Sequence, residues 1–347
     1  MNENSKNNEV YLIYWLLISL FLVSSIIIVG GLTRLTDSGL SITEWNLISG
    51  IFPPTSNDDW EKAFNLYKEI PEFKLVNPLM NLQEFKVIYW WEFIHRFLGR
   101  IIGLFFLIPL IYFTLKKSLK KKQIISFYLI FLLILFQGII GWYMVKSGLT
   151  ERTDVSHYRL SIHLTLAFIL FALIFWNFLN LTYYRKKQSV EKTLPNVHLV
   201  IFLLLIIFQI FIGAFVSGMD AGQIYNSWPY MNDTFFPDDS TFKDFLSLSL
   251  FDTPSLVQFL HRVTAYLIFF YFLIILYFVF KDEKFFYLRK NIIWVFLALF
   301  LQIILGIFTI LNAAQIYIAS MHQFGSIILI STTIILVYKN SKFSSQL

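Results

Sequence analysis

Four histidines each lie near the start of a separate long apolar stretch: His95, His163, His261 and His322. A histidine inside hydrocarbon is costly unless a partner binds it. Paired imidazoles are common axial ligands of haem iron. Four histidines at one membrane depth therefore predict two haem sites, with His95 paired to His163 and His261 paired to His322. The alternative is four hydrogen-bonded core histidines, an interpretation that we would favour for any one of them alone.

A carboxylate accompanies only one of these pairs. Glu92 lies three residues before His95, whereas the corresponding position before His261 is Gln258, which cannot titrate. Residues three apart share a helical face, and a buried carboxylate can act in proton transfer. The amino-terminal site is therefore predicted to be catalytic and the carboxy-terminal site to hold a fixed cofactor. The alternative is that Glu92 serves only as an ion-pair partner for an arginine.

Arginines follow two of the histidines directly, Arg96 after His95 and Arg262 after His261. Arginine binds carboxylates in a bidentate manner, so we expect Arg96 and Arg262 to bind haem propionates. The alternative is snorkelling toward lipid phosphate, and for Arg100 the two interpretations are equally favoured.

Long apolar segments must position these residues. The chain has 347 residues, of which 57% are hydrophobic and 14% charged, and its mean hydropathy is +0.64. A spanning helix needs roughly 20 mostly apolar residues, which predicts an all-α polytopic membrane protein. The eight predicted spans are about 11–33, 92–115, 123–145, 159–182, 197–217, 258–280, 291–311 and 318–338. The net charge of +6 comes from lysines in short loops, so no nucleic-acid partner is expected.

The lysine and arginine clusters predict the orientation of the spans. Basic residues follow the second, fourth, sixth and eighth spans, and the positive-inside rule places such loops in the cytoplasm. These basic residues include Lys116, Lys117, Lys120, Lys121, Lys122, Arg185, Lys186, Lys187, Lys192, Lys281, Lys284, Arg289 and Lys290. Both termini are then cytoplasmic, and the simplest location is a bacterial inner membrane. The chain contains no cysteine, which excludes disulfides and thiolate ligands.

The two halves of the chain repeat one another. The segment QGIIG at 137–141 parallels QIILG at 302–306, and EFIHR at 92–96 parallels QFLHR at 258–262. Four spans per repeat give both halves the same orientation, so a pseudo-twofold axis along the membrane normal is expected. We predict two four-helix bundles, residues 1–192 and 193–347, each with a site between facing helices.

These motifs together resemble the haem A synthase family, in the cysteine-free form of mitochondria and related bacteria. The resemblance covers nearly the whole chain and includes GGLTRLTDSGLSITEWNLISGIFPP, WEFIHR, QGIIGWYMVKSGL, SHYRLSIHL, NSWPYMND and QFLHR. It implies oxidation of the C8 methyl group of haem O to the formyl group of haem A by successive hydroxylations. Haem O synthase, an unidentified electron donor and membrane lipid are the expected partners.

The resemblance also implies roles for the paired histidines. The family's carboxy-terminal pair, matched by His261 and His322, holds haem b. The amino-terminal pair, matched by His95 and His163, belongs to the haem O site, and the glutamate of the family's E-x-x-H motif is matched by Glu92. Two departures matter: the outer-loop cysteines of other members are absent, and His157 stands in an outer loop where a proline is expected. We also expect the farnesyl tail of haem O to leave near Phe97, Phe105 and Phe106.

Two other functions compete with this one. A dihaem b-type electron carrier predicts two equivalent, permanently filled sites, which the difference between Glu92 and Gln258 opposes. A transporter that uses histidines as a path predicts ionisable groups across the whole membrane depth, whereas here they stop near the outer leaflet.

Overall fold

The computed structural model describes residues 3–45, 49–150, 152–183 and 194–344, and their regular structure is helical. The α-helices are α1 (Glu3–Leu35), α2 (Asn57–Lys68), α3 (Pro71–Leu75), α4 (Leu82–Leu115), α5 (Lys121–Gly148), α6 (His157–Thr182), α7 (Asn196–Gly218), α8 (Phe242–Phe245), α9 (Pro254–Lys281), α10 (Arg289–Leu311) and α11 (Ile316–Ser344). Within these ranges, eight helices are long and apolar enough to cross a membrane. They are α1, α4, α5, α6, α7, α9, α10 and α11. The predicted fold class, an all-α polytopic membrane protein with eight spans, is confirmed.

Helix α4 begins at Leu82, whereas the hydropathy pattern placed its start at about residue 92. Asn81 caps this helix: its side chain accepts from the backbone N–H groups of Gln83 and Glu84, and Glu84 returns a bond to the Asn81 N–H. Such a capping box satisfies backbone donors that a helix end leaves open. The extra turns are amphipathic rather than apolar, which is why a search for continuous apolar sequence misses them.

The added turns of α4 carry an aromatic cluster in the outer loop. Trp60 of α2 lies with its ring centroid 5.0 Å from that of Tyr89, and Phe64 lies 5.0 Å from Phe85. Tyr67, which has no exposed surface, packs 5.2 Å from Phe85. Burial of large aromatic side chains dominates packing energetics, so α2 and the start of α4 stabilise the loop that precedes Glu92.

The chain divides into two compact units, Met1–Leu170 and Phe171–Leu347. In the second unit, α7 packs on α9, α9 on α10, α10 on α11 and α11 on α7, which closes a four-helix bundle. In the first unit, α1 packs on α4 and α4 on α5. The predicted halves 1–192 and 193–347 and their pseudo-twofold relation stay predictions.

The basic connections lie between spans as expected. Lys116 to Lys120 separate α4 from α5, and the turn Glu283–Leu288 with Lys284 separates α9 from α10. Arg185, Lys186, Lys187 and Lys192 lie outside the described residues. The predicted orientation of the termini is therefore not tested by the helices alone.

Candidate haem-binding sites

His261 on α9 and His322 on α11 lie opposite each other. Their ring centroids are 6.5 Å apart and the ring planes cross at 77°. With a metal–nitrogen bond of about 2 Å on each side, two imidazoles that share one ion have centroids about 6 Å apart. The observed separation therefore fits an iron ion held between the two rings, which is the bis-histidine arrangement of a haem site.

Each of these two rings lies directly over a glycine of the neighbouring helix. A Cβ atom added to Gly213 on α7 would lie 3.1 Å from Cε1 of His261. A Cβ atom added to Gly306 on α10 would lie 3.0 Å from Cε1 of His322. Any larger residue would push the imidazole away, so the two glycines set the position of both rings.

The first unit repeats this arrangement. A Cβ atom on Gly30 of α1 would lie 3.1 Å from Nε2 of His95, and one on Gly141 of α5 would lie 3.2 Å from Cε1 of His163. Helix α4, which carries His95, packs on α5, whose Gly141 lies under His163. His261 and His322 are thus neighbours in the second unit, and the pairing of His95 with His163 in the first unit stays a prediction.

Glutamines fix three of the four histidine-bearing helices to a neighbour. In each case the side-chain amide donates to the histidine's own backbone carbonyl, and the glutamine lies four residues before the glycine under the ring. The three bonds are Gln137 to His163 at 3.0 Å, Gln209 to His261 at 2.9 Å and Gln302 to His322 at 2.9 Å. A carbonyl has a second lone pair for such a bond, so the α-helices themselves are not disrupted.

Glu92 is buried, with 2% of its surface exposed, and its carboxylate has three donors. Arg96 donates from Nη2 at 2.6 Å, and Ser41 Oγ and the Ile42 N–H each donate at 2.7 Å. This arrangement suits an ionised carboxylate, because ionised carboxylates only accept hydrogen bonds. The predicted carboxylate beside His95 is therefore also the ion-pair partner that we weighed as its alternative.

Gln258 occupies the equivalent position in the second unit, but its side-chain nitrogen donates hydrogen bonds where the second carboxylate oxygen of Glu92 accepts them. Its Oε1 accepts from Arg262 Nη2 at 3.0 Å, as Glu92 accepts from Arg96. Its Nε2, however, donates to the backbone carbonyls of Ala221 at 2.8 Å and Ile224 at 2.6 Å. The first outer loop offers donors where the second offers acceptors, so each loop matches the residue it meets.

Arg96 and Arg262 hold these outer loops in place. Their terminal nitrogens donate to loop carbonyls: Arg96 to Ile42 and Glu44, and Arg262 to Tyr225, Ser227 and Tyr230. Among the described residues, the buried Nε atom of each arginine has no hydrogen-bond partner. Propionate binding by these arginines stays a prediction, and Nε is the donor that remains for it.

The structure also gives the positions of His157, His198 and Phe106. His157 is the first residue of α6 rather than part of the preceding loop, and its ring lies 4.5 Å from that of Tyr158. His198, near the start of α7, lies 3.2 Å from the hydroxyl of Tyr271, in line with an interfacial role. Of the residues expected near the farnesyl tail, Phe106 is 1% exposed and Phe97 is 37% exposed, and the path of the tail stays a prediction.

Gly30, Gly213 and Gln209 were not predicted as site residues, and the two other Gln-x-x-x-Gly segments were predicted only as parts of the repeat. The signal was present, since the same spacing occurs a third time as QIFIG at 209–213. Ser41 was also missed, because no local pattern connects a loop serine with a carboxylate on a distant helix.

Comparison with known proteins identifies the family of the chain. Residues 13–334 match the family model COX15-CtaA, described as cytochrome oxidase assembly protein. The chain belongs to this family.

Relatives within this cytochrome oxidase assembly family cover the chain almost completely. A protein of Pelagibacter ubique named Heme A synthase is 48% identical, over 98% of this chain and 100% of its own length. One of Rickettsia bellii with the same name is 44% identical, over 92% and 95%. One of Flavobacterium psychrophilum, again named Heme A synthase, is 41% identical, over 97% and 100%.

Proposed function

We propose that this protein is a haem A synthase, which oxidises the C8 methyl group of haem O to the formyl group of haem A for cytochrome oxidase assembly. The observation that carries the proposal is the contrast between two sites of similar construction. In both sites each histidine ring lies against a glycine of a neighbouring helix, and an arginine donates to the carbonyls of the adjacent loop. Only the first site has a carboxylate, Glu92, one turn from its histidine. The names and coverage of the relatives support the same function.

The residues divide the work between a cofactor and a substrate. His261 and His322 would hold a resident haem b, which would supply one-electron transfer when bound. His95 and His163 hold the substrate haem O. Glu92 is the ionised carboxylate that accepts a proton at the substrate site, and Arg96 and Ser41 keep it oriented and shielded from water. Residues 1–192 thus form the substrate half and residues 193–347 the haem b half.

The protein is a multi-pass membrane protein with eight spans. We place it in the bacterial inner membrane, with both termini in the cytoplasm because the basic connections lie at that end. Haem O synthase, which supplies the substrate, and an electron donor are the expected partners, besides membrane lipid.

A dihaem b-type electron carrier is the runner-up function, supported by the matched histidine pairs alone. It requires two permanently filled sites and gives no role to a buried carboxylate at only one of them. Pigment analysis of the purified protein separates the two functions. We expect haem b together with haem O, haem A or a hydroxylated intermediate, whereas haem b alone at two equivalents per chain would establish the carrier.

Substitution in the amino-terminal pair tests the assignment of sites. His95→Ala and His163→Ala should each abolish haem A production in cells and leave the haem b of the second unit in place. Loss of haem from both units together with unfolding would show that the two sites are structural equivalents, and the catalytic assignment would fail.

A further inference from the structure

One of the four histidine sites lacks the glutamine that holds the other three. The glutamines precede the glycine under the ring by four residues, at 137–141, 209–213 and 302–306. The fourth glycine is Gly30, and the residue four positions before it is Ile26. An isoleucine side chain cannot donate a hydrogen bond, so position 26 cannot make the bond to the backbone carbonyl of His95 that a glutamine there could make.

The side-chain amide of Gln209 contacts both the backbone and the ring of His261. Its Nε2 lies 2.9 Å from the backbone oxygen of His261 and 3.2 Å from Nδ1 of the same residue. The amide thus fixes the backbone and the ring of one ligand together. A histidine that ligates a metal is usually oriented through its second ring nitrogen, and an inter-helical hydrogen bond within a membrane resists separation of the helices.

Ile26 makes a different contact. Its Cδ1 lies 3.7 Å from the position that a Cβ on Gly99 of α4 would occupy, one turn beyond His95. Helix α1 does bond α4 through the Thr33 hydroxyl and the Trp91 carbonyl at 3.3 Å, but this bond lies one turn before His95. At Ile26 and Gly99, one turn beyond His95, the surfaces that meet are apolar.

The His95 ring also differs in how it meets its glycine. The atom nearest to the Cβ position of Gly30 is Nε2, whereas at the other three glycines it is Cε1 of the histidine. Nε2 is thus the ring nitrogen of His95 that lies nearest to α1. Position 26 offers this ring no amide, whereas Nε2 of Gln209 lies 3.2 Å from Nδ1 of His261.

We propose that Ile26 is a positioning residue that makes His95 a releasable ligand, so that haem exchanges at the amino-terminal site while Gln209 keeps haem b in the carboxy-terminal site. The inference rests on the proposed function, because a substrate haem must enter and its product must leave. The difference in the rate of haem exchange between the two sites then arises from one position in each repeat, Ile26 or Gln209. It does not arise from the ligands, because both sites have histidines.

Reciprocal substitutions test this inference in the full-length protein. Ile26→Gln introduces the missing amide, and Ile26→Met is the matched control with the same length and no donor. Gln209→Met removes the amide from the second unit. The protein is loaded with ferric protoporphyrin IX in detergent micelles, and its transfer to excess apomyoglobin is followed by absorbance. The two kinetic phases are assigned with His95→Ala and His261→Ala.

We expect a fast phase from the amino-terminal site and a slow phase from the carboxy-terminal site. Ile26→Gln should slow the fast phase by about 3- to 30-fold, which is the range for one inter-helical hydrogen bond in a membrane protein. Ile26→Met should leave the fast phase unchanged. Gln209→Met should accelerate the slow phase by a similar factor and alter the low-spin electron paramagnetic resonance signal, which a general packing defect elsewhere would not do.

Equal rates for Ile26→Gln and Ile26→Met would overturn the inference. An unchanged slow phase in Gln209→Met would also overturn it, and this measurement decides the matter if Ile26→Gln does not fold. Haem A content of cells that carry the unmodified chain tests the proposed function separately. If the unmodified protein forms haem A but the substitutions leave the haem exchange rates unchanged, only the role of Ile26 is refuted. If the unmodified protein forms no haem A but the substitutions alter the exchange rates, only the proposed function is refuted.

Discussion

Glu92 and Arg96 form a 2.6 Å ion pair one turn apart on α4, and Gln258 and Arg262 repeat the same contact on α9 as a 3.0 Å hydrogen bond without the negative charge. The contact keeps its shape in both units. Residues four apart on a helix face each other, so this arrangement follows from the spacing. The charge is confined to the unit that we assign to the substrate.

The first prediction concerns removal of that charge. Glu92→Gln should abolish haem A formation, because a neutral amide cannot accept a proton. Ser41 Oγ and the Ile42 N–H both donate to Oε2 of Glu92, and Arg96 donates to Oε1, so at least one donor would face the new NH₂ group in either orientation of the amide. An unsatisfied buried group costs about 1–3 kcal/mol. The measurements are haem A content and thermal stability in detergent.

Gln258→Glu is the matched control in the second unit. This variant should still form haem A. It should destabilise the loop between α7 and α9, because its carboxylate would face the backbone carbonyls of Ala221 and Ile224. Unchanged haem A levels in Glu92→Gln would show that the carboxylate is dispensable.

The second prediction concerns the resident cofactor. His261→Ala and His322→Ala should each lose the tightly bound haem b, because the 6.5 Å pair can no longer supply both axial ligands. The pyridine haemochrome spectrum of purified variants measures the loss. His198→Ala is the control, since His198 lies beside Tyr271 and away from this pair. A full low-spin b-type spectrum in both site variants would contradict the assignment.

The third prediction concerns the glycine beneath His163. Gly141→Ala should lower haem A formation by about tenfold, because the new methyl group lies 3.2 Å from Cε1 of His163 and displaces the ring. Gly138→Ala, three residues earlier on α5, is the matched control. In the described part of the chain nothing lies within 4 Å of its added Cβ. Alanine there should preserve activity and stabilise the helix by up to about 1 kcal/mol. Equal activities of the two variants would exclude a role for the close approach.

The fourth prediction concerns pH and a group outside the spans. Burial raises the pKa of Glu72, in the outer loop, from 4.5 to about 8, and the hydrogen bond with Tyr67 opposes the shift only in part. The folded protein therefore holds a proton that the unfolded chain releases above pH 4.5. Stability should decrease as the pH rises from about 4.5 to 8, by at most about 1.4 kcal/mol per unit, and then level off.

Glu72→Gln tests this dependence, because glutamine does not titrate. The variant should show a flatter profile of melting temperature between pH 5 and 8 than the unmodified protein. Glu69→Gln, at the end of the neighbouring α2, is the control and should leave the profile unchanged. Parallel profiles for the unmodified chain and Glu72→Gln would rule out Glu72 as the responsible group.

The sequence by itself determined the eight spans, and it predicted the paired sites. Spans are local properties, because each depends on about 20 consecutive apolar residues. The repeat was also visible along the chain, and with it the pairing of His95 with His163 and the contrast of Glu92 with Gln258. The start of α4 was not predicted, because its first turns owe their stability to contacts with α2.

Only the tertiary structure decided what surrounds each histidine. Gly30 lies against His95 and Ser41 against Glu92, although these pairs are far apart in the chain. Contacts of this kind depend on which helices become neighbours, and hydropathy carries no information about that choice. The hydrogen bonds of the three glutamines also depend on the tertiary structure, because each amide donates to the backbone carbonyl of a histidine on another helix. The Gln-x-x-x-Gly spacing alone does not predict such a bond. Ile26 is an ordinary apolar residue in the sequence, and it becomes an exception only when α1 is compared with the three helices that carry a glutamine at that place.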